Sequence, residues 1–362
     1  MEATMAPRSL TDPWMLGSLR VPNRVLLAPL AGIGNWFVRL QAKRYGAGMA
    51  VSEMVSSHAV HHRNEKTWRE LLRIDPRERD GGPVSIQLFG EDPAMMRSAA
   101  ETVAGLGADA IDINMGCPVP KVRKTGAGAE LLADPDRAVA VARAAVEGAA
   151  AGAAQRRLGA AREAADALAG GVPVTVKLRS GLRAGDSEGF DLAHRLVAEA
   201  GVAAIGFHPR SAAVHHKGHP DYELARRLVE SLPAPVLLTG GLDEPEQVHE
   251  AFEQTGAAAV MIARGALGNP WLFAQLTGAR LHEPTPAEVR TELAWTLDRA
   301  VEHLGEERAT RYLRKFYPWY TGRLGLDAAA ARELREALQT AETLTQARQL
   351  LGLERSAAAV AG

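Results

Sequence analysis

The sequence predicts an α/β fold, a (β/α)8 TIM barrel, followed by a C-terminal all-helical domain. Eight short apolar runs alternate with helical segments up to residue 283, and no such run follows. Near-continuous apolar strands are typical of parallel sheets that are buried on both faces. Eight strand-then-helix units in succession therefore indicate a barrel. An open doubly wound sheet is the alternative, but no GxGxxG follows the first run, which weighs against it.

Each apolar run is interpreted as one barrel strand. In chain order the runs are 25–30, 50–55, 84–89, 110–115, 174–179, 204–209, 236–241 and 259–264. The segments between them, such as 92–108 and 191–202, have helical spacing and often end in glycine. The Ala-rich stretch 147–171 predicts one extended surface helix, or two short ones, before the fifth strand.

The change of pattern near residue 284 divides the chain. A length of 362 residues exceeds the usual size of a single domain. We expect a catalytic barrel over 1–283, a helical domain over 284–352 and a flexible tail over 353–362.

Composition and charge exclude several classes of protein. An apolar fraction of 46% is ordinary for a globular protein, and a net charge of −1 argues against a chain that binds nucleic acid indiscriminately. The single cysteine allows no intrachain disulfide, which suits a reducing compartment. The sequence shows no apolar stretch long enough for a membrane span and no secretory signal at its start. We expect a soluble, cytoplasmic protein that does not bind a membrane.

Polar or conformationally special residues mark the ends of the predicted strands. They are Pro29, Glu53, Gln87, Asn114, Lys177, His208, Gly240 and Arg264. In a (β/α)8 barrel all strand ends open on one face, where catalytic loops lie. Strand ends also carry polar residues simply because they meet solvent, but eight together favour a shared site.

The only cysteine of the chain, Cys117, follows the fourth strand in a glycine-rich, basic loop. Its thiol is mostly protonated at neutral pH and could donate a proton. It could instead act as a nucleophile, with His208 as base and its thiolate stabilised by Lys121, Arg123 and Lys124. A small buried hydrophobic residue is the structural alternative. A metal site is not expected, because a lone cysteine has no CxxC partner.

Glycines follow the last two strands and indicate a phosphorylated cofactor. Gly240 and Gly241 end the seventh strand, and the eighth continues into ARGALGNPW at 263–271. Loops at these positions commonly bind phosphate through backbone N–H groups, and Arg264 adds a charged donor. Tight turns alone are the alternative. Lys177 and Gln87 each interrupt an apolar strand, which is costly unless they meet a partner.

The segment RYLRKFYPWYTGR, 311–323, combines positive charge with aromatic side chains. It holds four basic and no acidic residues, and five of the 18 aromatic residues of the chain. Guanidinium groups contact phosphates and aromatic rings stack on bases in RNA-binding proteins. Aromatic residues of a helix are also commonly core residues, so the segment has two interpretations: RNA contact or core.

Several motifs together resemble the tRNA-dihydrouridine synthase family, over roughly residues 16 to 350. The most specific is INMGCPVPKVRKTGAGAELL, 113–132, which is similar to the cysteine loop of the family. The others are LLAPLAGIGNWFVR at 26–39, SIQLFGEDPAMM at 85–96, PVTVKLRSG at 173–181, MIARGALGNPWLF at 261–273 and LRKFYPWY at 313–320.

The resemblance implies an enzyme that reduces the C5=C6 bond of particular uridines in tRNA. It implies FMN as the flavin, which NADPH reduces, with hydride transfer to C6 and a proton from Cys117 to C5. Asn114 would contact uracil or flavin, and Lys121, Arg123, Arg314 and Lys315 would contact tRNA. The implied flavin residues are Pro29, Leu30, Ala31, Gln87, Lys177, His208, Thr239, Gly240, Gly241, Ala263 and Arg264. The resemblance also implies a monomer.

The sequence departs from the family pattern in two places. Thr239-Gly240-Gly241 stands where Asn-Gly-Asp is usual, and His208-Pro209-Arg210 stands where glycine or alanine usually follows the histidine. Two rival functions are an FMN barrel oxidoreductase that acts on a free pyrimidine base and a catalytically idle RNA-binding protein. The first gives Lys121 and Arg123 no role, and the second leaves Cys117 unexplained.

Overall fold

The computed structural model describes residues 8–158 and 171–353. They form two compact units: one runs to Ala266 and includes Leu272–Ala279, and the other consists of Leu267–Trp271 and the chain from Arg280 onward. Residues 159–170 of the predicted Ala-rich helix and 354–362 of the predicted tail lie outside the described residues.

The first unit is a closed barrel of eight parallel strands, as the sequence predicts. Its strands are β3 (Val25–Leu27), β4 (Met49–Ser56), β5 (Val84–Phe89), β6 (Ala110–Met115), β7 (Val174–Arg179), β8 (Ala204–His208), β9 (Val236–Thr239) and β10 (Ala259–Ile262). Each strand pairs with the next along the chain, and β10 closes the barrel on β3 with Val260 opposite Val25. All eight strands therefore end at the same rim.

A short antiparallel hairpin precedes the barrel and was not predicted. It consists of β1 (Trp14–Leu16) and β2 (Leu19–Val21). Its buried side chains belong to a core cluster with the first residues of several barrel strands, namely Met49, Ala110, Ala204 and Ala259. The hairpin therefore packs its apolar face at the N-terminal end of the barrel, and the opposite end is available for a site.

Helices connect the strands and pack around them. Those of the barrel unit are Trp36–Arg44, Ser57–His61, Pro93–Gly105, Pro120–Arg123, Pro135–Leu158, Glu188–Ala200, Tyr222–Ser231 and Pro245–Thr255, and Trp271–Leu276 follows β10. Short helical turns of other types occur at Thr67–Leu71, Pro76–Gly81, Gly128–Ala133 and Arg264–Ala266. Two glycines allow close helix contact: a Cβ on Gly148 or Gly152 would lie 2.1 Å from the Arg97 carbonyl or 2.2 Å from the Glu101 carbonyl.

The described part of the second unit is helical, as predicted for the C-terminal region. Its helices beyond Arg280 are Pro286–Leu304, Glu306–Leu313, Tyr317–Thr321, Ala328–Thr340 and Leu344–Leu350. Capping boxes begin two of them, with Thr285 and Glu288 at the first and Thr343 and Gln346 at the last. Such caps satisfy backbone donors that the first turn of a helix leaves unpaired.

One buried ion pair fixes the loop before β5 to the first helix. Arg39 and Glu78 are both fully buried and form two hydrogen bonds, Nε to Oε2 at 2.8 Å and Nη2 to Oε1 at 2.9 Å. The Glu78 carboxylate also accepts the backbone N–H of Asp75 at 2.9 Å. Loss of either partner would leave a buried charge without compensation.

We expect Glu78→Ala to lower the free energy of unfolding by about 3–5 kcal/mol, because it strands the Arg39 charge in the core. Urea denaturation followed by circular dichroism measures this. Glu223→Ala is the matched control, since it removes an exposed partner of Arg226 and should barely change the unfolding midpoint. Equal midpoints for the two variants would contradict the stabilising role of the Arg39–Glu78 pair.

Candidate active site

A cavity of about 320 Å³ opens at the rim where the barrel strands end. Cavities of this size are typical of small-molecule sites. The strand-end residues predicted to share a site line it, with the exception of Glu53, whose carboxylate accepts the N–H of Gly32 at 2.9 Å. Every residue proposed for flavin contact lines this cavity, and so do Asn114 and Cys117.

A chain of hydrogen bonds runs across three neighbouring strands below the cavity. Thr175 Oγ1 donates to Asp112 Oδ1 at 2.5 Å, and Gln87 Nε2 donates to Asp112 Oδ2 at 2.6 Å. Asn114 Nδ2 in turn donates to Gln87 Oε1 at 3.0 Å. The chain ends at the cysteine loop, where Asn114 Oδ1 accepts the backbone N–H of Cys117 at 2.9 Å. Strand register explains the contact, because Gln87, Asp112 and Thr175 lie side by side.

The loop that carries Cys117 folds back on itself. The Cys117 carbonyl accepts the N–H of Ala129 at 3.1 Å, and the short helix Pro120–Arg123 lies between them in sequence. Gly128 has a φ of +65°, and a Cβ there would lie 2.9 Å from the Cys117 carbonyl, so this position needs glycine. Cys117 is half-buried and lines the cavity, which leaves its thiol accessible from the cavity.

Opposite charges face each other at the barrel interior. Burial raises the pKa of Asp112 to about 6, although hydrogen bonds from Thr175 and Gln87 oppose the shift. Burial lowers the pKa of Lys177 to about 8, with Arg179 adding to this effect and the Asp112 charge opposing it. Both groups are therefore mostly charged at pH 7. The Lys177 ammonium lines the cavity and forms no hydrogen bond or ion pair with the residues that the structure describes.

Arg179 ties the cysteine loop to the loop after β8. Its Nε donates to the Gly116 carbonyl at 3.1 Å, and its Nη1 donates to the carbonyls of Ser211 at 3.0 Å and His215 at 2.7 Å. Burial lowers its pKa to about 10, so the guanidinium remains charged at neutral pH. A guanidinium offers several donors in a rigid plane, and here three carbonyls from two loops use them.

His208 is buried at the end of β8 and remains a neutral imidazole. Burial, with the nearby charges of Lys177, Arg179 and Arg210, lowers its pKa well below the usual range. Arg210 Nη1 lies 3.3 Å from His208 Nε2. Because a guanidinium can only donate, Nε2 accepts and the ring proton resides on Nδ1. The His216 ring stacks on His208 with centroids 5.9 Å apart, and burial lowers the pKa of His216 to about 4.

The turn after β9 presents backbone rather than side chains. Gly240 and Gly241 have φ values of +102° and +73°, and a Cβ on Gly240 would lie 2.5 Å from His208 Nε2. Tyr222 holds the turn by donating its hydroxyl to the Gly240 carbonyl at 2.9 Å. Thr239, the first residue of the unusual Thr-Gly-Gly sequence, donates its hydroxyl to the Met261 carbonyl at 3.1 Å. Neither glycine could be replaced without strain.

These residues fit a flavin nucleotide. A bare glycine turn, the exposed Arg264 guanidinium and the start of a helical turn at Arg264–Ala266 suit a phosphate at one side of the cavity. Lys177, without a hydrogen-bond partner among the described residues, suits the electron-rich edge of a flavin ring. The His208 ring supplies one N–H donor. When bound, a flavin supplies hydride-transfer chemistry.

The residues predicted to contact tRNA lie outside this cavity. Lys121 is exposed on the helix Pro120–Arg123, and Arg123 forms an ion pair with Glu130 in which Nε lies 2.8 Å from Oε2. In the helical unit, Arg314 is half-buried and donates to the Ala341 carbonyl at 3.1 Å. Lys315 is exposed, with its ammonium 4.8 Å from the centre of the Tyr312 ring.

The core interpretation of segment 311–323 holds for three of its aromatic residues. Phe316, Tyr317 and Tyr320 are buried core residues, and the Tyr320 hydroxyl lies 3.2 Å from Thr296 Oγ1. Burial raises the pKa of Tyr317 to about 12. The basic residues of the segment lie at its half-buried and exposed positions. The RNA-contact interpretation therefore concerns the basic residues and not these three rings.

Sequence reasoning missed several residues of the site. Asp112 and Arg179 were assigned only to the apolar strands that contain them, and His215, His216 and Asp243 only to loops. An acidic residue two positions before Asn114 was the available signal, because alternate residues of a strand face the same side. The described residues contain no group of three or more His, Cys, Asp or Glu side chains placed to hold a metal ion. Among them, no helix is long and apolar enough to span a membrane.

Comparison with known proteins identifies the family. Residues 26–360 match the model of the dihydrouridine synthase family. The chain is 35% identical over 325 residues to tRNA-dihydrouridine synthase B of Pseudomonas aeruginosa, covering 88% of this chain and 89% of that protein. It is 34% identical over 364 residues to probable tRNA-dihydrouridine synthase 1 of Synechocystis, covering 96% and 94%.

Solved structures agree with the fold. Morphinone reductase in complex with tetrahydroNAD superposes with a TM-score of 0.52 at 17% identity, over 78% of this chain and 94% of that one. A 2-naphthoyl-CoA reductase complex superposes with a TM-score of 0.54 at 14% identity, over 76% and 53%. At these identities the likeness concerns the barrel fold alone. The extent of the family match and the close relatives show that this chain belongs to the dihydrouridine synthase family of flavin-dependent oxidoreductases.

Proposed function

We propose that this protein reduces the C5=C6 bond of specific uridines in tRNA to dihydrouridine, with FMN as its flavin and NADPH as the reductant. The observation that carries the proposal is the position of Cys117, accessible from a cavity whose walls suit a flavin nucleotide. Family membership and relatives named as tRNA-dihydrouridine synthases support the same substrate.

The residues of the chain have separate roles in this proposal. The thiol of Cys117 delivers a proton to C5 of the uracil, from the face of the uracil ring that the cysteine loop approaches. Asn114 anchors the loop through the Cys117 N–H and lines the cavity wall. Lys177 and His208 orient the ring of the flavin, and Gly240, Gly241 and Arg264 hold its phosphate.

The surroundings of the cavity suit RNA more than a free base. A uridine within folded tRNA must leave its stack to reach a barrel rim, which requires contacts with the phosphate backbone around the cavity. Lys121 is exposed on the helix that follows Cys117, and Arg123 lies on the same helix. We propose these two residues as contacts to the tRNA strand next to the target uridine, and Arg314 and Lys315 as contacts from the helical unit.

The first test follows the flavin absorbance during a half-reaction. We expect anaerobic NADPH to reduce the protein-bound FMN, and unmodified tRNA to reoxidise it with dihydrouridine appearing in the recovered RNA. Free uracil serves as the control substrate. Reoxidation by free pyrimidines and not by tRNA would assign the protein to a small-molecule oxidoreductase, and purified protein without flavin would contradict the proposal at its start.

Cys117→Ala should retain bound FMN and reduction by NADPH but lose most turnover on tRNA. Removal of a general acid commonly costs about 10²–10⁴-fold in rate. Single-turnover reoxidation by tRNA measures the loss, and the rate of flavin reduction by NADPH is the internal control. Full activity of Cys117→Ala on unmodified tRNA would eliminate the proton-donor role.

Lys315→Glu should weaken tRNA binding and leave the flavin spectrum unchanged, because it reverses an exposed charge in the helical unit. A gel-shift titration at fixed salt gives the affinity. Repeated at several salt concentrations, it should give a slope of log affinity against log salt that is smaller by the equivalent of about one phosphate contact. Lys315→Arg is the matched control and should bind normally. Arg314 is a poorer choice, since its replacement also removes the bond to the Ala341 carbonyl. Unchanged affinity in Lys315→Glu would remove Lys315 from the tRNA interface.

A further inference from the structure

Asp112 lies below the cavity, and its carboxylate does not line the wall. It is 3% exposed and occupies the strand position that pairs with Gln87 on one side and Thr175 on the other. Burying a carboxylate inside a barrel is unfavourable unless its oxygens are well bonded. The proposed chemistry gives Asp112 no direct part, so its presence needs another explanation.

An ionised carboxylate sets the direction of every hydrogen bond that follows it. Because both oxygens of Asp112 can only accept, Gln87 must turn its NH2 group toward Asp112. Gln87 then offers Oε1 to Asn114, so Asn114 must turn its own NH2 group toward Gln87. The Asn114 oxygen is thereby left for the backbone N–H groups of Gly116 at 3.2 Å and Cys117 at 2.9 Å.

Neither amide has an intrinsic preference between its two orientations. A reversed Gln87 would place its NH2 group against the NH2 group of Asn114. A reversed Asn114 would place its NH2 group against the N–H of Cys117, and two donors cannot bond each other. The loop would then lose the bonds that hold its first residues at the cavity wall.

We propose that Asp112 is a positioning residue that fixes the place of Cys117 by orienting the side-chain amides of Gln87 and Asn114. The chain of contacts is complete from the Asp112 carboxylate to the Cys117 N–H, and each hydrogen bond in it has the required direction. The proposal deepens the proposed function, because it concerns where the thiol stands when it delivers its proton.

The variants separate orientation from charge. Asp112→Val removes the acceptor and frees Gln87 to reverse. Asp112→Asn removes the charge but can keep the direction, since its oxygen accepts from Gln87 while its NH2 group donates to Thr175 Oγ1. Thr175→Val also keeps the direction, because Asp112 remains an acceptor. The double variant Asp112→Asn with Thr175→Val has no group at 175 to hold the new amide, so the direction is lost.

Two controls account for general effects on the barrel. Ser85→Ala alters a residue of the same strand as Gln87 that is 1% exposed and whose hydroxyl has no hydrogen-bond partner in the described structure. Glu78→Ala lowers stability through the buried pair with Arg39, away from the cavity wall. The Glu78→Ala variant also shows how much a loss of stability alone changes the reactivity of the Cys117 thiol.

The decisive readout is the rate at which iodoacetamide alkylates the thiol, measured by mass spectrometry at pH 8 with saturating FMN. Cys117 is the only cysteine of the chain, so alkylation reports on this residue alone. We expect Asp112→Val and the double variant to be alkylated about fivefold faster, on the scale of one lost hydrogen bond. Their kcat on tRNA should fall about tenfold or more while KM stays within about twofold. Each single conservative variant should show a clearly smaller change.

Some results of these measurements would overturn the positioning role of Asp112. Alkylation of Asp112→Val at the rate of Ser85→Ala, or no faster than that of Glu78→Ala, would overturn the proposal and leave Asp112 a purely structural residue. Additive effects in the double variant would do the same, because orientation requires the two changes to act together. If Asp112→Val fails to fold, the double variant carries the test. The alkylation readout uses no tRNA, so a failure of the proposed function would leave it intact.

Discussion

The pairing of the first barrel strand with the last is the constraint on which the site depends. Val25 of β3 lies opposite Val260 of β10, which closes the sheet and leaves no free edge. Because all eight strands are parallel and adjacent in sequence order, their ends form one continuous rim. Residues as distant in sequence as Pro29 and Arg264 therefore line the same cavity. The hairpin at the opposite end keeps that end filled with apolar side chains.

Closure also explains how polar side chains can exist inside the barrel. Register places Lys177 beside Asn114 on one neighbour and beside Gly206 on the other, and Gly206 leaves room for the lysine stem. The charge of Lys177 is acceptable because the Asp112 carboxylate lies near it and the cavity opens above it. Buried polar and charged side chains of this kind lower stability. Proteins usually retain them where a ligand or a reaction needs these side chains.

The strands of the barrel were easier to predict from the sequence than the side-chain contacts inside it. All eight predicted strands are confirmed. They could be predicted because buried parallel strands are continuous apolar runs, which are visible in the sequence itself. The hairpin Trp14–Val21 was missed because three-residue strands produce no period. The residues proposed for flavin contact lie on the cavity wall because they stand at strand ends, where the barrel topology decides their place. Asp112 was missed because an isolated acid inside an apolar run has no visible partner until register brings Gln87 and Thr175 beside it.

The turn after β9 departs in sequence from what the family resemblance implies. That resemblance implies asparagine and aspartate side chains there, whereas Thr239 turns its hydroxyl to the Met261 carbonyl and Gly241 has no side chain. Backbone N–H groups do not depend on side-chain identity, and at Gly240 and Gly241, which both have positive φ values, no Cβ lies beside them. The close approach of His208 to Gly240 leaves no space for a Cβ, so the histidine and the glycine require each other. The proposed phosphate contact at this turn would therefore depend on backbone geometry, which the Tyr222 hydroxyl stabilises by donating to the Gly240 carbonyl.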